Sequence, residues 1–342
     1  MFRLLALLFA ALVLASASAV LAQPVRSEAP IRESVLSNGA RRYAVAVRVG
    51  RTELLAALDT GSTGLRILPG VLWPADARPS EEAETYGYAS GSRYEGVASE
   101  AAMAIGGLSG VAPVHLIRSI GCYDYLPHCP ASRTTLDKYG IASDGLPGEG
   151  FKAILGIDMA PGRVSNPLMA MGAKRWIVEL PRPGEGAGRL ILNPSDTEVA
   201  RFVMAPLAAP YAHERGGGLH DAMPGCLVNR AARARACGLV LLDTGAPGLA
   251  VANGGLQDPP WPDGATAELE LFDTVGGLAI EAPFVLGDRD LGTHLSYRRE
   301  SRIFGTVIYA GTAPYFAYSV LYDPAHRRIG LKARPPAAAA DR

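Results

Sequence analysis

The chain has 342 residues, sets 33 basic against 33 acidic side chains, and is 49% hydrophobic with only 19% charged residues. So apolar and neutral a sequence is not disordered, and it carries no electrostatic footprint for nucleic acid or an anionic membrane surface. Its 39 Gly and 26 Pro follow no repeating triplet and suit a turn-rich, mainly β protein. The length gives a prior of about two domains.

Arg3 precedes an apolar run from Leu4 to Leu14, and small residues follow from Ala15 to Ala22. This order is that of a secretory signal, expected to span residues 1–22 with cleavage after Ala19 or Ala22, and the run is too short for a membrane span. Export to the periplasm or the medium is the expected localisation. Residues 23–38 read as a polar N-terminal segment. From Tyr43 to Val49 apolar residues alternate with Ala44, Ala46 and Arg48, the period of a half-buried strand. Leu54 to Leu58 is a continuous apolar run, expected to be a strand covered on both faces, and it stops at Asp59-Thr60-Gly61.

Four cysteines agree with export. Cys122 with Cys129 and Cys226 with Cys237 form the simplest of three possible connectivities. A metal site at Cys122, His128 and Cys129 has no zinc-ligand spacing, so no metal or cofactor is expected. Phe151-Lys-Ala-Ile-Leu-Gly156 lies downstream of the first Asp-Thr-Gly. Asn166 to Leu180 reads as a short helix entering a strand, and Gly188 to Leu192 as the crossing into a second unit.

The abrupt stop recurs 184 residues later, where Leu239 to Leu242 runs into Asp243-Thr244-Gly245. Leu58-Asp-Thr-Gly-Ser-Thr-Gly-Leu-Arg-Ile67 and Leu242-Asp-Thr-Gly-Ala-Pro-Gly-Leu-Ala-Val251 agree at Leu, Asp, Thr, Gly, Gly and Leu. One Asp-Thr-Gly can be an ordinary turn; two, each after an apolar strand and each followed by Gly-Leu, indicate duplication. Ser301-Arg-Ile-Phe-Gly305 follows the second motif as Phe151–Gly156 follows the first, and each segment is expected to pack beside its turn. Tyr318 to Asp323 and Ile329 to Leu331 form a hairpin pattern expected to close the second unit. The Ala-rich tail, 334–342, reads as disordered.

Two carboxylates brought into contact cannot both ionise, so such a pair shares a proton and offers a base and an acid together.

With these motifs the chain resembles the pepsin-like aspartic peptidases from about Tyr43 to Leu331. The resemblance implies a bilobal, mainly β fold of two pseudo-symmetric, barrel-like lobes, 39–190 and 191–333, with the active site between them. It implies catalysis by Asp59 and Asp243, with support from Thr60, Gly61, Ser62, Thr244, Gly245 and Ala246. Thr60 and Thr244 would brace the loops against each other, and Ser62 would hydrogen-bond Asp59. Ile154-Leu155-Gly156 and Ile303-Phe304-Gly305 would fill the paired segments beneath them, and the Cys226–Cys237 loop resembles a family disulfide.

Tyr88-Ala89-Ser90-Gly91-Ser92 is similar to the family's flap, with Tyr88, preferred for its spacing to Gly91-Ser92, as the tyrosine that closes over substrate and Tyr86 its rival. Peptides or unfolded proteins, cut between bulky apolar residues, are the implied substrates, pepstatin-type compounds the implied inhibitors, and a monomer the implied state.

The sequence also departs from the family. Ala246 stands opposite Ser62 and removes a hydroxyl donor from Asp243, so the pair is expected to titrate less acidically. Arg66 replaces the usual tryptophan that hydrogen-bonds the flap tyrosine. Asp243 to Ile303 spans 60 residues against 95 from Asp59 to Ile154, so the second lobe has lost loops. Only 36 residues separate Ala22 from Asp59, and no inhibitory prosegment is expected.

A pepsin-fold binding or inhibitor protein is the alternative, but such proteins show a broken dyad and both turns are intact here. Glycoside hydrolysis also uses two carboxylates, but it does not call for duplicated Asp-Thr-Gly turns, and 3 Trp are few for stacking sugars. His213 and His220 lack metal spacing, Gly216-Gly217-Gly218 precedes no helix pattern, and Arg230, Arg233 and Arg235 read as a solvated face.

Overall fold

A computed structural model describes residues 25–208, 219–253, 261–273, 275–298 and 305–335. The proposed signal sequence, His213, Gly216–Gly218 and residues 301–304 lie outside the described residues, as does the tail from 336 on. The chain is mainly β, with strands gathered into two large sheets. Among the described residues no helix is long and apolar enough to cross a membrane.

Among the described residues thirteen strands form the first sheet. Its core is the hairpin of Arg41–Val49 and Thr52–Asp59, where Tyr43, Val45, Val47 and Val49 point inward as the period-two pattern requires. Ala153–Ile157 runs parallel to Thr52–Asp59 and antiparallel to Thr63–Ile67, followed by Leu108–Cys122, Ser92–Ile105 and the edge strand Arg78–Gly87. Arg48 and Val49 also pair with Ala104 and Met103, so six strands close on themselves and hide their edges. Leu55 is 38% exposed, so the run Leu54–Leu58 is covered on both faces only over Ala56, Ala57 and Leu58, where the strand leaves the hairpin end and enters the core.

On its other flank the sheet continues through Ser27–Val35, Gly188–Leu192, Trp176–Glu179, Tyr318–Asp323, Arg328–Ala333 and Val203–Pro206. The expected N-terminal segment is therefore largely a strand, paired with Gly188–Leu192 and with Arg41–Val49. The boundary expected between residues 190 and 191 falls inside a strand. The terminal hairpin forms as the sequence suggested, yet it pairs with Trp176–Glu179 and so joins the first sheet, not the second. What draws it there is apolar burial: the Trp176 indole, fully buried, stacks on Tyr322 at 5.6 Å and 8°. Ser195 caps the turn Asp196–Val199 through a capping box with Glu198, and Asn166 caps Pro167–Ala170 ahead of strand Trp176–Glu179.

Among the described residues the second sheet has seven strands, in the order Leu278–Val285, Thr266–Phe272, Met223–Asn229, Ala234–Leu241, Val307–Tyr309, Leu249–Ala252 and Leu295–Arg298. Both disulfides are formed, Cys122–Cys129 and Cys226–Cys237, the latter joining directly opposed residues of a hairpin. Arg230 and Arg235 are not a purely solvated face, since they pair with Glu268, Glu270 and Glu281 on the neighbouring strands.

Candidate active site

Asp59 ends strand Thr52–Asp59, and its backbone lies opposite Gly156 in the parallel register. The chain then turns back as Thr63–Ile67 on the other side of Ala153–Ile157. In the second half, Ala234–Leu241 leads into Asp243, Leu249–Ala252 turns back, and Val307–Tyr309 lies between them, parallel to the first and antiparallel to the second. The two motifs thus occupy the same local frame. The segment between the strands differs from expectation: Val307–Tyr309 fills it, four residues beyond the Ile303–Gly305 segment chosen from the sequence.

Gly311, not Gly305, is therefore the counterpart of Gly156. A side chain at Gly156 would strike the backbone of Ser62 and Thr63, and one at Gly311 that of Gly248 and Ala246, so both positions need glycine for close backbone approach.

The two Asp-Thr-Gly loops meet. A Cβ on Gly61 would lie 2.5 Å from the Asp243 carboxyl carbon, and one on Gly245 would lie 2.7 Å from Asp59 Oδ1. Each glycine thus makes room for the other loop's carboxylate. Thr60 N–H donates to Thr244 Oγ1 at 3.1 Å and Thr244 N–H donates to Thr60 Oγ1 at 2.9 Å. The hydroxyls in turn donate across, Thr60 to Leu242 O at 2.9 Å and Thr244 to Leu58 O at 2.8 Å. This reciprocal brace is completely buried on the Thr60 side. Tyr315 OH lies 2.9 Å from Thr60 Oγ1 and 2.6 Å from Tyr322 OH, which extends the network beneath the loops. Neither tyrosine was visible as a site residue from the sequence, because both lie more than 70 residues beyond the nearer motif.

The two carboxyls differ in their donors. Asp59 accepts from Ser62 Oγ at 2.6 Å and from Gly61 N–H at 2.9 Å, whereas Asp243 accepts from Gly245 N–H at 2.9 Å. Ala246 offers no hydroxyl there. Burial, then the charge of Asp59, push the Asp243 carboxyl up to about 8, while Gly245 N–H and Arg298 pull the other way. The arrangement is a proton-holding Asp243 facing a hydrogen-bonded Asp59, which can act as acid and base on the same group.

Above the carboxyls stands the hairpin of Arg78–Gly87 and Ser92–Ile105, with its tip at Tyr88–Gly91. The Tyr86 ring covers Arg66, whose guanidinium carbon is 3.3 Å from the ring centroid. A cation–π contact thus stands where the expected hydrogen bond to tryptophan is absent. Tyr88, preferred from its spacing, packs against Tyr86 and Tyr94 with centroids at 5.1 Å from each. Ser90 Oγ donates to Ser92 Oγ at 3.4 Å, and Gly91 O accepts from Tyr123 N–H at 3.0 Å, so the Cys122–Cys129 loop supports the tip. Carboxyls, hairpin and second-sheet strands enclose a cleft of about 440 Å³, lined by Tyr86, Tyr88, Ile154, Leu241 and Tyr309 beside the two aspartates. No protein-family model matches the sequence, and no curated protein matches it.

Behind Asp59 the structure brings together a second acidic pair, Asp158 and Asp221, that the sequence did not flag. Asp158 accepts from Ala160 N–H at 2.9 Å and Asp221 accepts from Met159 N–H at 3.0 Å. Burial, and further the charge of Asp59, raise Asp158 to about 6 against the opposing pull of Ala160 N–H and Arg66; burial and Asp158 raise Asp221. A carboxyl raised in the folded state stabilises the fold most below its unfolded value and loses that contribution as pH rises through its folded value. Asp158→Asn is therefore expected to raise Tm at pH 7 more than at pH 4, with most of the change between about pH 4 and 6. Thermal melts across that window check it; an equal shift at both pH values would assign the effect to packing.

Proposed function

We propose that this protein is an exported aspartic endopeptidase of the pepsin-like, bilobal kind. The observation that carries the reading is the meeting of two Asp-Thr-Gly loops, each the other's brace, with their carboxyls face to face in a cleft beneath a tyrosine-bearing hairpin. The disulfides fit an oxidising compartment. The apolar cleft walls fit an extended peptide with bulky side chains.

In this mechanism Asp59, held by Ser62 Oγ and Gly61 N–H, takes a proton from a water whose oxygen attacks the peptide carbonyl carbon. Asp243 gives its proton to the carbonyl oxygen. The resulting gem-diol collapses when Asp59 passes its proton to the leaving nitrogen and a diol hydroxyl returns one to Asp243; the C–N bond breaks and the pair is regenerated. No covalent intermediate forms, and the chemistry uses the side chains of the dyad alone.

Incubation with a peptide library from pH 3 to 8, with and without pepstatin, tests the reading. Pepstatin-sensitive cleavage is expected. A folded protein that binds pepstatin yet cuts nothing would instead be a peptide-binding member of the same architecture.

Because Asp243 has no hydroxyl donor, activity is expected to extend to near-neutral pH. Ala246→Thr supplies that donor to the ionised form, so its alkaline limb should move to lower pH by up to about one unit. An unmoved pH–rate profile would show that burial alone sets the limb.

A further inference from the structure

Arg66 stands between the first Asp-Thr-Gly loop and the hairpin above it. It lies on strand Thr63–Ile67, which begins four residues after Asp59 and is held between Ala153–Ile157 and Leu108–Cys122. Every residue of that strand is buried, Arg66 to 1% exposure. Its guanidinium donates to the carbonyls of Thr63 and Gly64, the latter at 3.3 Å, and its carbon lies 3.3 Å from the centroid of the Tyr86 ring. The charges of Arg66 and Asp59 both act on Tyr86 and on Asp158, so cation and carboxylate share one neighbourhood. His115 lies opposite Arg66 in the parallel register and is fully buried; burial first, and Arg66 second, push its imidazole down to about 4, so it adds no second charge above that pH. A buried cation is costly unless partnered, and a ring face partners it more strongly where water is excluded.

The hairpin has few other anchors on this side. Strand Arg78–Gly87 is the outermost of its sheet and none of its residues is buried, so apolar burial contributes little to holding it. Its partner Ser92–Ile105 is fixed through Tyr94, whose hydroxyl meets that of Tyr139 at 2.8 Å. The tip is tied to the Cys122–Cys129 loop by Tyr123 N–H and Gly91 O. Arg66 instead ties the outer strand, through the Tyr86 ring, to the stretch of chain that carries Asp59 and Ser62. Tyr88 packs on that ring at 5.1 Å, and both tyrosines line the cleft beside the two aspartates.

We propose that Arg66 is a positioning residue: its buried guanidinium clamps the outer strand of the hairpin over Asp59 by stacking on Tyr86, and so holds the cleft closed on an extended peptide. This deepens the peptidase reading and rests on it. The clamp acts through Tyr86 and touches no reacting atom. Because it favours the closed cleft before substrate arrives, its loss falls on substrate capture more than on bond cleavage.

Hydrogen exchange on the free protein tests the clamp without substrate. In Arg66→Met, which keeps the bulk and removes the charge, hairpin amides between Ala83 and Val97 should exchange faster by about tenfold or more, while those of Arg41–Val49 keep the wild-type rate. Tyr86→Leu should do the same and the double variant no more than either, and Tyr86→Phe, which keeps the ring face, should retain most of the protection. Tyr86 lies on an exposed strand, so its variants carry the comparison even where Arg66→Met fails to fold. With the best-cut library peptide, Arg66→Met should raise KM by about tenfold with little change in kcat, and pepstatin should dissociate faster in proportion; a partly unfolded preparation would lower kcat at unchanged KM.

Hairpin exchange unchanged in Arg66→Met, or effects of Arg66→Met and Tyr86→Leu that multiply in the double variant, overturn the proposal and leave the peptidase reading standing. A fall in kcat at constant KM does the same. A wild type that shows the exchange effects but neither cuts any peptide nor binds pepstatin overturns the peptidase reading, and with it the role of Arg66 in peptide capture.

Discussion

Asparagine in place of Asp59 or Asp243 is expected to lower kcat/KM by about 10⁴-fold while the fold persists. The two substitutions act on different halves of the chemistry. Asp59→Asn removes the acceptor for the water's proton, while Asp243→Asn keeps a hydrogen-bond donor near the carbonyl but no proton to transfer. Their effects on stability should diverge from their similar effects on rate. The Asp243 carboxyl is raised to about 8, first by burial and then by Asp59.

Because the folded-state value lies above the unfolded one, the stability contribution of Asp243 is complete below about pH 4 and is lost as pH rises toward about 8. Asp243→Asn removes that dependence, so its Tm should exceed the wild type's at pH 8 and approach it at pH 4. Such a gain in stability on loss of activity is common where a site holds like charges together. Melts at the two pH values, with cleavage assays on the same preparations, check both halves. Retained cleavage in either variant would place the chemistry elsewhere.

Thr60→Val carries the second large effect. Valine preserves the shape but strips the oxygen that donates to Leu242 O and accepts from Thr244 N–H, and it takes away one partner of Tyr315 OH, which keeps Tyr322 OH. Thr60 is completely buried, so water cannot replace these bonds. An unsatisfied buried donor or acceptor costs about 1–3 kcal/mol, and with several affected the expected loss is about 2–4 kcal/mol. The rate should fall as well, by about tenfold or more, because the brace fixes the approach of the two carboxyls and small displacements are costly in catalysis.

Thr244→Val should behave alike, and the double variant should fall short of the sum of the two, since each threonine serves the other. Denaturant titration with kinetics on the three variants measures this coupling. Additive losses would mean that the loops are positioned independently by the strands beneath them.

The pattern of these expectations reflects what can and cannot be read along a chain. The strands before the two aspartates were legible because their apolar runs are local and end at a turn whose chemistry is written in three residues. The braces at Thr60 and Thr244 were legible through the motif resemblance. Ile154–Gly156 was legible too, but its counterpart was misassigned. Ile303-Phe-Gly305 and Ile308-Tyr-Ala-Gly311 both offer apolar residues before a glycine, and only the pairing of Leu241 with Tyr309 distinguishes them. The choice between Tyr86 and Tyr88 was likewise open, because two residues apart on a hairpin they share a face; the position of Arg66 gives Tyr86 the cation and leaves Tyr88 among the rings.

By itself the sequence determined the β character of the chain and the two motif turns, which depend on period and turn chemistry, and it offered the observed disulfide pairing as the simplest of three. Tertiary structure alone decided that the last hairpin joins the first sheet through Trp176 and Tyr322, that Tyr315 closes the network under Thr60, that Asp158 meets Asp221, and that Arg298 faces the cleft. Each of these is a contact between segments distant in sequence, fixed by which apolar faces bury one another, and a charge or hydroxyl acquires its role only from the company that burial brings to it.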